Sequence, residues 1–230
     1  MARLTVLATE TDAGKTFLVA ALLRGLRGRG CVVRPYKPFA SGPLSASDDT
    51  SLLRAACGEP LTEAQVTPWR FERPVAPAFL LRDRGIRLSA ADLLAPAAAL
   101  ERGADLLITE TAGGLLSPLT ECWSSLDAAD LLGGPLLLVV RNRLGAISAA
   151  ENALRLLDLP RRRLVAVVLS DGAEVATEDD ALLLDENEVW LRRANPSLRW
   201  FRLRRGGAPD EARSTCSGAG LQGVRARGEA

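Results

Sequence analysis

The chain has 230 residues, 47% of them apolar, which is enough to bury the core of one α/β domain or at most two small ones. Its net charge of +1 requires neither nucleic acid nor a membrane surface as a partner, and no apolar run approaches the length of a bilayer span. The chain has no histidine and no Cys-x-x-Cys pair among its four cysteines, which argues against a zinc site, a disulfide scaffold and a His-dependent hydrolytic triad and favours a reducing cytoplasm.

Short apolar runs alternate along the chain with longer segments of helical spacing. Strands are predicted at residues 4–8, 31–36, 104–109, 135–140, 164–169 and, at a sheet edge, 198–203. Helices are predicted at residues 17–26, 49–57, from an N-cap at Ser89 to about residue 102, and at 147–157 and 179–193. Because the strands are apolar without alternation, they predict an α/β domain with a mostly parallel sheet and helices on both faces.

The domain is predicted to span residues 1–205. Residues 206–230 are rich in Gly, Ser, Ala and Arg and are predicted to form a loosely packed tail. The charge is uneven before that tail, since residues 174–188 carry seven acidic side chains and residues 192–205 carry six arginines. The basic run is either a patch that binds phosphate or RNA, or a solvated face.

A phosphate-binding loop is indicated directly after the first predicted strand, where residues 9–16 read Thr-Glu-Thr-Asp-Ala-Gly-Lys-Thr and lead into a helix. Backbone N–H groups of such a loop favour anions, and its lysine adds a full charge beside the terminal phosphates. Thr9 stands where the general pattern has glycine, so the alternative is an ordinary loop with a solvated lysine. The context predicts a single-domain P-loop NTPase-like fold. Nucleotide contacts are expected from Asp12, Ala13, Gly14, Lys15, Thr16 and Phe17.

Further polar residues follow the other predicted strands, at the sheet edge where ligands of parallel sheets bind. Lys37 ends the second strand, and Glu110 follows the third. Asp48 and Asp49 open the next helix, and either could be its N-cap. Two lysines, a hydroxyl and two carboxylates meet the needs of phosphoryl transfer with Mg²⁺.

Four segments in matching order, over roughly the first 170 residues, resemble dethiobiotin synthetase. They are residues 11–16, residues 36–42 (Tyr-Lys-Pro-Phe-Ala-Ser-Gly), the Asp48–Asp49 pair, and residues 109–114 (Thr-Glu-Thr-Ala-Gly-Gly). Lys-Pro-x-x-Ser-Gly is the most discriminating piece, because many phosphate-loop enzymes lack it. The resemblance implies that 7,8-diaminopelargonate, CO₂ or bicarbonate, and ATP are converted to dethiobiotin. One amine becomes a carbamate, the carbamate takes the γ-phosphate, and the second amine closes the ureido ring.

The resemblance also implies a role for individual residues. Lys15 would hold the β- and γ-phosphates, Lys37 would contact the transferring phosphoryl group, and Thr11 would contact the carbamate and diamine. Three residues are implied to hold Mg²⁺: Thr16, Asp49 and Glu110. We therefore favour Asp49 as a metal ligand and Asp48 as the cap or a supporting neighbour. Substrate contacts are implied for four further residues: Ser41, Gly113, Gly114 and Ser148.

The chain departs from the family pattern in the phosphate loop and at the positions that, in the family, recognise the substrate carboxylate and the adenine. Ala8 replaces a usual Gly, and Asp12 replaces a usual Glu. Ser148 and Ala149 replace an Asn-His pair that, in the family, caps the substrate carboxylate across a dimer interface. Ser170 replaces an Asn that reads adenine. We therefore expect a homodimer in which Ser148 still caps its helix, and a relaxed choice of nucleotide.

Three other functions stay open at this stage. The first is a related P-loop enzyme that activates a different carboxylate or carbamate. The second is a partition-type ATPase switch. Such proteins usually carry an extra lysine early in the phosphate loop, and positions 9–13 contain none, which argues against this function. The third is a non-catalytic nucleotide-binding module, which would not need residues 37–41. For the dethiobiotin synthetase function, the expected partners are small molecules (the diamine, CO₂ or bicarbonate, and ATP), with neither nucleic acid nor membrane.

Overall fold

A computed structural model describes residues 2–43, 45, 48–158, 160–172 and 177–204. The strands of these ranges, in chain order, are β1 (Ala2–Ala8), β2 (Val33–Tyr36), β3 (Phe39–Ser41), β4 (Trp69–Phe71), β5 (Leu106–Glu110), β6 (Leu136–Asn142), β7 (Leu164–Asp171) and β8 (Trp200–Leu203). The helices are α1 (Lys15–Arg27), α2 (Asp49–Cys57), α3 (Glu63–Val66), α4 (Pro77–Asp83), α5 (Ala90–Glu101), α6 (Ser125–Leu132), α7 (Ala146–Leu157) and α8 (Glu178–Ala194).

The main sheet has the strand order β2-β5-β1-β6-β7-β8, and every neighbouring pair is parallel. Both of its faces are apolar, as the unbroken apolar runs predict. Val6 and Ala8 of β1 pack with α1 on one face, whereas Leu7 packs with α7 on the other. The predicted α/β fold, with a parallel sheet between two layers of helices, is confirmed.

The predicted strands and helices are all present, and β8 lies at a sheet edge as expected. The small parallel sheet of β3 and β4 and the helices α3, α4 and α6 were not predicted from the sequence. Within the described ranges, no helix is long and apolar enough to cross a bilayer. The predicted domain boundary at 205 and the predicted tail at 206–230 lie outside the described residues and stay predictions.

The strand order places a crevice at the carboxyl end of β1. From β1 the chain passes out to β2, returns to β5 beside β1, and then crosses to β6 on the other side of β1. Such a reversal opens a crevice beyond the strand ends, where α/β proteins bind ligands. The crevice walls are tied together by hydrogen bonds, since Thr9 N–H donates to the Val139 carbonyl (3.0 Å) and Thr111 N–H donates to the Val6 carbonyl (3.2 Å).

Candidate functional site

The predicted phosphate loop is a tight turn between β1 and α1. Gly14 is the N-cap of α1 and adopts the left-handed conformation, with φ at 101°. Asp12 also has a positive φ, 58°, which costs a residue other than glycine about 1–3 kcal/mol and is tolerated best by Asp and Asn. Ala13 and Gly14 are buried, whereas Phe17 is exposed on α1. The loop therefore leads directly into the N-terminus of a helix, which favours bound anions.

Lys15 crosses the mouth of this loop and is 6% exposed. Its ammonium donates to the carbonyl oxygens of Gly113 (2.7 Å) and Glu10 (3.4 Å). Burial lowers the pKa of Lys15 to about 8, because it disfavours the charged form, although the nearby Glu110 carboxylate acts in the opposite direction. The lysine thus bridges the phosphate loop and the segment after β5.

Lys37 lies between two carboxylates at the end of β2. Its ammonium donates to Glu110 Oε1 (2.6 Å) and to the Asp49 carboxylate. Burial alone would lower the pKa of Lys37, but the charges of Glu110 and Asp49 outweigh it and the net pKa is raised. Thr16 completes the cluster, since its hydroxyl donates to the same Glu110 oxygen (2.7 Å). Four elements, α1, β2, α2 and β5, therefore bring their polar ends together.

The two aspartates at the start of α2 have different partners. Asp48 is the N-cap, and its carboxylate accepts from the backbone N–H of Ser51 (3.1 Å). Asp49 turns instead to Lys37, which lowers the pKa of its carboxyl group against the opposing effect of burial. The prediction that Asp48 caps the helix is confirmed, and Asp49 is free to face the crevice.

The carboxylate of Glu110 suits a metal ligand. Its side chain is 1% exposed, and its Oε2 is buried without a hydrogen-bond partner in the described part of the chain. A buried carboxylate oxygen normally has a partner, so a partner is expected from outside the protein. The described residues contain no cluster of three or more His, Cys, Asp or Glu side chains that would form an all-protein cage. Two carboxylates and a hydroxyl are instead what Mg²⁺ uses together with phosphate oxygens and water.

The two glycines after β5 pack against the phosphate loop. A Cβ on Gly114 would lie 2.7 Å from the Thr9 carbonyl oxygen. Gly113 has φ at 68°, and a Cβ there would meet the Ser117 side chain and lie 3.7 Å from the Thr11 hydroxyl. The Ser117 hydroxyl accepts from Gly114 N–H (2.8 Å). Glycine at 114 is therefore required for close approach to the loop, and Thr11 is brought next to Gly113.

The remaining predicted substrate residues, Ser41 and Ser148, are both exposed. Ser41 ends β3 and is exposed. Ser148 is exposed on α7, but the expectation that it caps this helix is wrong, because Gly145 is the N-cap and Ser148 lies inside the first turn. Gly145 can start the helix because its φ of 90° is accessible to glycine without strain.

Ser170, predicted to contact the nucleotide, lies near the end of β7 and is 2% exposed. Its neighbour Asp171 belongs to a buried polar network. The Asp171 carboxylate accepts hydrogen bonds from Asn142 Nδ2 (2.8 Å) and from Arg202 Nε (2.8 Å). Asn187 on α8 donates to Asn142 Oδ1 (3.0 Å) and closes the network. The carboxyl ends of β6 and β7 are therefore rigidly packed against α8.

Two groups of ion pairs at the strand ends were not predicted from the sequence. Arg143, after β6, pairs with Glu10 of the phosphate loop and ties a third strand end to it. Arg202 in the predicted basic run pairs with three carboxylates: Asp171, Asp185 and Glu188. These carboxylates, two of them on α8, neutralise Arg202. This arginine therefore belongs neither to a solvated face nor to a patch that binds nucleic acid, the two alternatives considered for the basic run. The position of Arg143 at a strand end was a readable signal, whereas the pairing of Arg202 depends on tertiary packing.

Comparison with known proteins supports the fold and identifies relatives of the chain. A family model described as an AAA domain matches residues 2–194. The ATP-dependent dethiobiotin synthetase BioD of Methylobacterium nodulans is 41% identical over 194 residues, which cover 79% of this chain and 86% of that protein. The protein of the same name from a Caulobacter species is 38% identical over 184 residues, 78% of this chain and 80% of that protein. Apo McdA from Cyanthece shares the fold with a TM-score of 0.51 at 14% identity, over 92% of this chain and 89% of that chain.

Proposed function

The chain belongs to the ATP-dependent dethiobiotin synthetase family, and from that premise we propose that it closes the ureido ring of dethiobiotin from 7,8-diaminopelargonate, CO₂ and ATP, a step of biotin biosynthesis that releases ADP and phosphate. The observation that carries the proposal is the convergence of Lys15, Lys37, Asp49 and Glu110 on the mouth of the phosphate loop. Phosphoryl transfer needs placed charge more than it needs a nucleophile or a strong base, and this set supplies placed charge.

The proposed reaction assigns a task to each cation. One amine of the substrate takes up CO₂ as a carbamate, a carbamate oxygen attacks the γ-phosphorus as ADP leaves, and the second amine attacks the carbonyl carbon as phosphate leaves. Lys15 holds the β- and γ-phosphates together with the loop amides and the N-terminus of α1. Lys37 contacts the transferring phosphoryl group. Thr11, next to Gly113, contacts the carbamate, which is already a nucleophile and needs no strong protein base.

The same proposal assigns Mg²⁺ to the cluster around Glu110. Glu110, Asp49 and Thr16 would hold the ion, and the unpartnered Oε2 of Glu110 supports this choice. When bound, Mg²⁺ neutralises charge on the β- and γ-phosphates. Nucleotide contacts are proposed for the loop residues 12–17 and for Ser170.

The diamine is proposed to bind at the rim formed by Ser41, Gly113 and Gly114, with Ser148 and the N-terminus of α7 receiving its carboxylate from a second subunit. Leu144, beside that helix end, is 82% exposed, which suits an interface between two copies. A homodimer follows, and light scattering that shows an active monomer would refute it. We also propose a cytoplasmic location, in keeping with the free thiols of the described cysteines.

The test is a steady-state assay with the diamine, bicarbonate, ATP and Mg²⁺. We expect dethiobiotin and ADP in equal amounts. Lys37→Gln should reduce turnover by about 100-fold or more while leaving the fold intact, because the lost charge acts mainly in the transition state. ADP release with a panel of amino acids, but not with the diamine, would show instead that the chain is a related ligase with another substrate.

A further inference from the structure

Lys37 is paired with both of the carboxylates that would hold the proposed metal ion. Its ammonium donates to Glu110 Oε1 (2.6 Å) and to the Asp49 carboxylate, which are the two anionic ligands assigned to Mg²⁺. The lysine side chain is 5% exposed and that of Glu110 is 1% exposed, so the contact between Lys37 and Glu110 is shielded from water, whereas the Asp49 side chain is 50% exposed and faces the crevice. In the free protein the two carboxylates therefore already have a cation between them.

The site is electrically balanced before any ligand binds. The ammonium groups of Lys15 and Lys37 carry two positive charges, and Asp49 and Glu110 carry two negative charges. A divalent cation that entered alone would share the carboxylates with a buried ammonium, and repulsion between buried charges is poorly screened. A triphosphate that entered with the metal would bring negative charge to which the ammonium can move.

The choice of lysine at this position suits such an exchange. Lys15 and Lys37 are the only lysines in the chain, and every other basic side chain is arginine. A guanidinium is a rigid planar fork that locks onto one partner, whereas an ammonium is a compact charge with three rotatable donors on a flexible stem. The chain therefore keeps lysine only at two positions beside the phosphate loop, both of them with carboxylate or carbonyl partners that a phosphate can replace.

We propose that Lys37 is the resident counter-ion of the metal site, which keeps out a free divalent cation until the nucleotide arrives and draws the ammonium onto its phosphates. The proposal rests on the proposed function for the identity of the nucleotide and the metal. It adds an order of binding, in which the metal enters with the triphosphate and not before it. Lys37 then has two tasks, one before the reaction and one during it.

The first experiment measures binding of Mn²⁺, a spectroscopic substitute for Mg²⁺, by electron paramagnetic resonance without nucleotide. Lys37→Met should bind Mn²⁺ about tenfold or more tightly than the wild type, because the competing charge is gone. Lys37→Arg keeps the charge and should bind as weakly as the wild type. Arg143→Gln is the matched control, since it removes one positive charge at the same sheet edge but contacts Glu10 instead of the metal carboxylates. It should change Mn²⁺ affinity less than about twofold.

The second experiment follows the lysine in the wild-type protein, so that it does not depend on how well a variant folds. Labelling with ¹³C at the lysine ε-carbon yields one signal for each of the two lysines, and Lys37→Arg identifies the signal of Lys37. Millimolar Mg²⁺ alone should leave that signal in place. Mg²⁺ with a non-hydrolysable ATP analogue should shift it.

Two outcomes would overturn the inference: Mn²⁺ affinity of Lys37→Met equal to that of the wild type, or a Lys37 signal that Mg²⁺ alone shifts as far as the ternary complex does. Neither measurement contains the diamine. Dethiobiotin formation by the wild-type protein tests the proposed function separately, so failure of one conclusion can be told from failure of the other.

Discussion

Replacing Gly114 by alanine is expected to displace the phosphate loop. A Cβ at this position would lie 2.7 Å from the Thr9 carbonyl oxygen and 3.2 Å from the carbonyl carbon. Ordinary contact begins at 3.4 Å, so the two backbones must separate by about 0.5–0.7 Å, and neither can turn away as the end of a side chain would. Overpacking of this kind costs about 1–3 kcal/mol.

The effect on activity should exceed the effect on stability. Thr9 begins the loop that carries Lys15, and a misplacement of about 1 Å near reacting groups costs about 100-fold in rate. We expect kcat/KM for ATP in Gly114→Ala to fall about 10- to 100-fold. The melting temperature should fall by about 2–10 °C for a domain of this size.

The assay measures dethiobiotin formation at saturating diamine over a range of ATP concentrations, with thermal melting in parallel. Gly25→Ala is the matched control, because Gly25 lies in α1 and a Cβ there meets nothing within 4 Å. This control should keep kcat/KM and gain up to about 1 kcal/mol of stability, since alanine favours a helix. A Gly114→Ala enzyme with the kcat/KM of Gly25→Ala would refute the steric argument.

Three further predictions concern charge and nucleotide choice. Glu110→Gln and Asp49→Asn should each raise the Mg²⁺ concentration for half-maximal rate by about tenfold or more, whereas Asp48→Ala should cost about 1 kcal/mol of cap energy and leave the Mg²⁺ titration unchanged. Unchanged titrations for both carboxylate variants would remove the metal assignment. Arg162, and with it a second arginine, holds the pKa of Asp130 below its usual value, so the stability that this carboxylate contributes is present at neutral pH and is lost as pH falls through its folded-state pKa. Asp130→Asn should therefore lower stability by about 1 kcal/mol at pH 7 and by progressively less as pH falls through the folded-state pKa of Asp130, as read from denaturant melts at a series of pH values; a loss that does not change with pH would contradict the pairing. Because the serine at position 170 is too short for a bidentate base contact, GTP or CTP should support kcat/KM within about tenfold of ATP, and an ATP preference above about a hundredfold would show that adenine is read elsewhere.

Most of the main sheet could be predicted from the sequence because its strands are buried on both faces. Such strands are continuous apolar runs bounded by turn residues, and that pattern depends only on local sequence. The same holds for the cap at Asp48, whose contact with Ser51 spans three residues. The phosphate loop could also be predicted from local sequence, because its function needs consecutive residues between a strand and a helix.

Contacts between residues far apart in the chain could not be predicted from the sequence. Lys37 and Glu110 are 73 positions apart, and the strand order brings them together only once β2 and β5 are paired. The sequence predicted that both lie at one sheet edge, but not that the ammonium contacts the carboxylate. The strands β3 and β4 have three residues each, which is too short for a period to be read.

Two different apolar clusters pack beneath the two parts of the site, one under the small β3–β4 sheet and one under the phosphate loop. Ser41, at the end of β3, depends on an apolar cluster that contains Phe39 and Phe71. The phosphate loop depends on a different cluster, which contains Ala13 and Val19. Because Ser41 is proposed to contact the diamine, cavities made beneath the small sheet should raise KM for the diamine while ATP binding persists. Substitutions in the β3–β4 region can therefore change which amine such an enzyme accepts without disturbing the phosphate loop that binds the triphosphate.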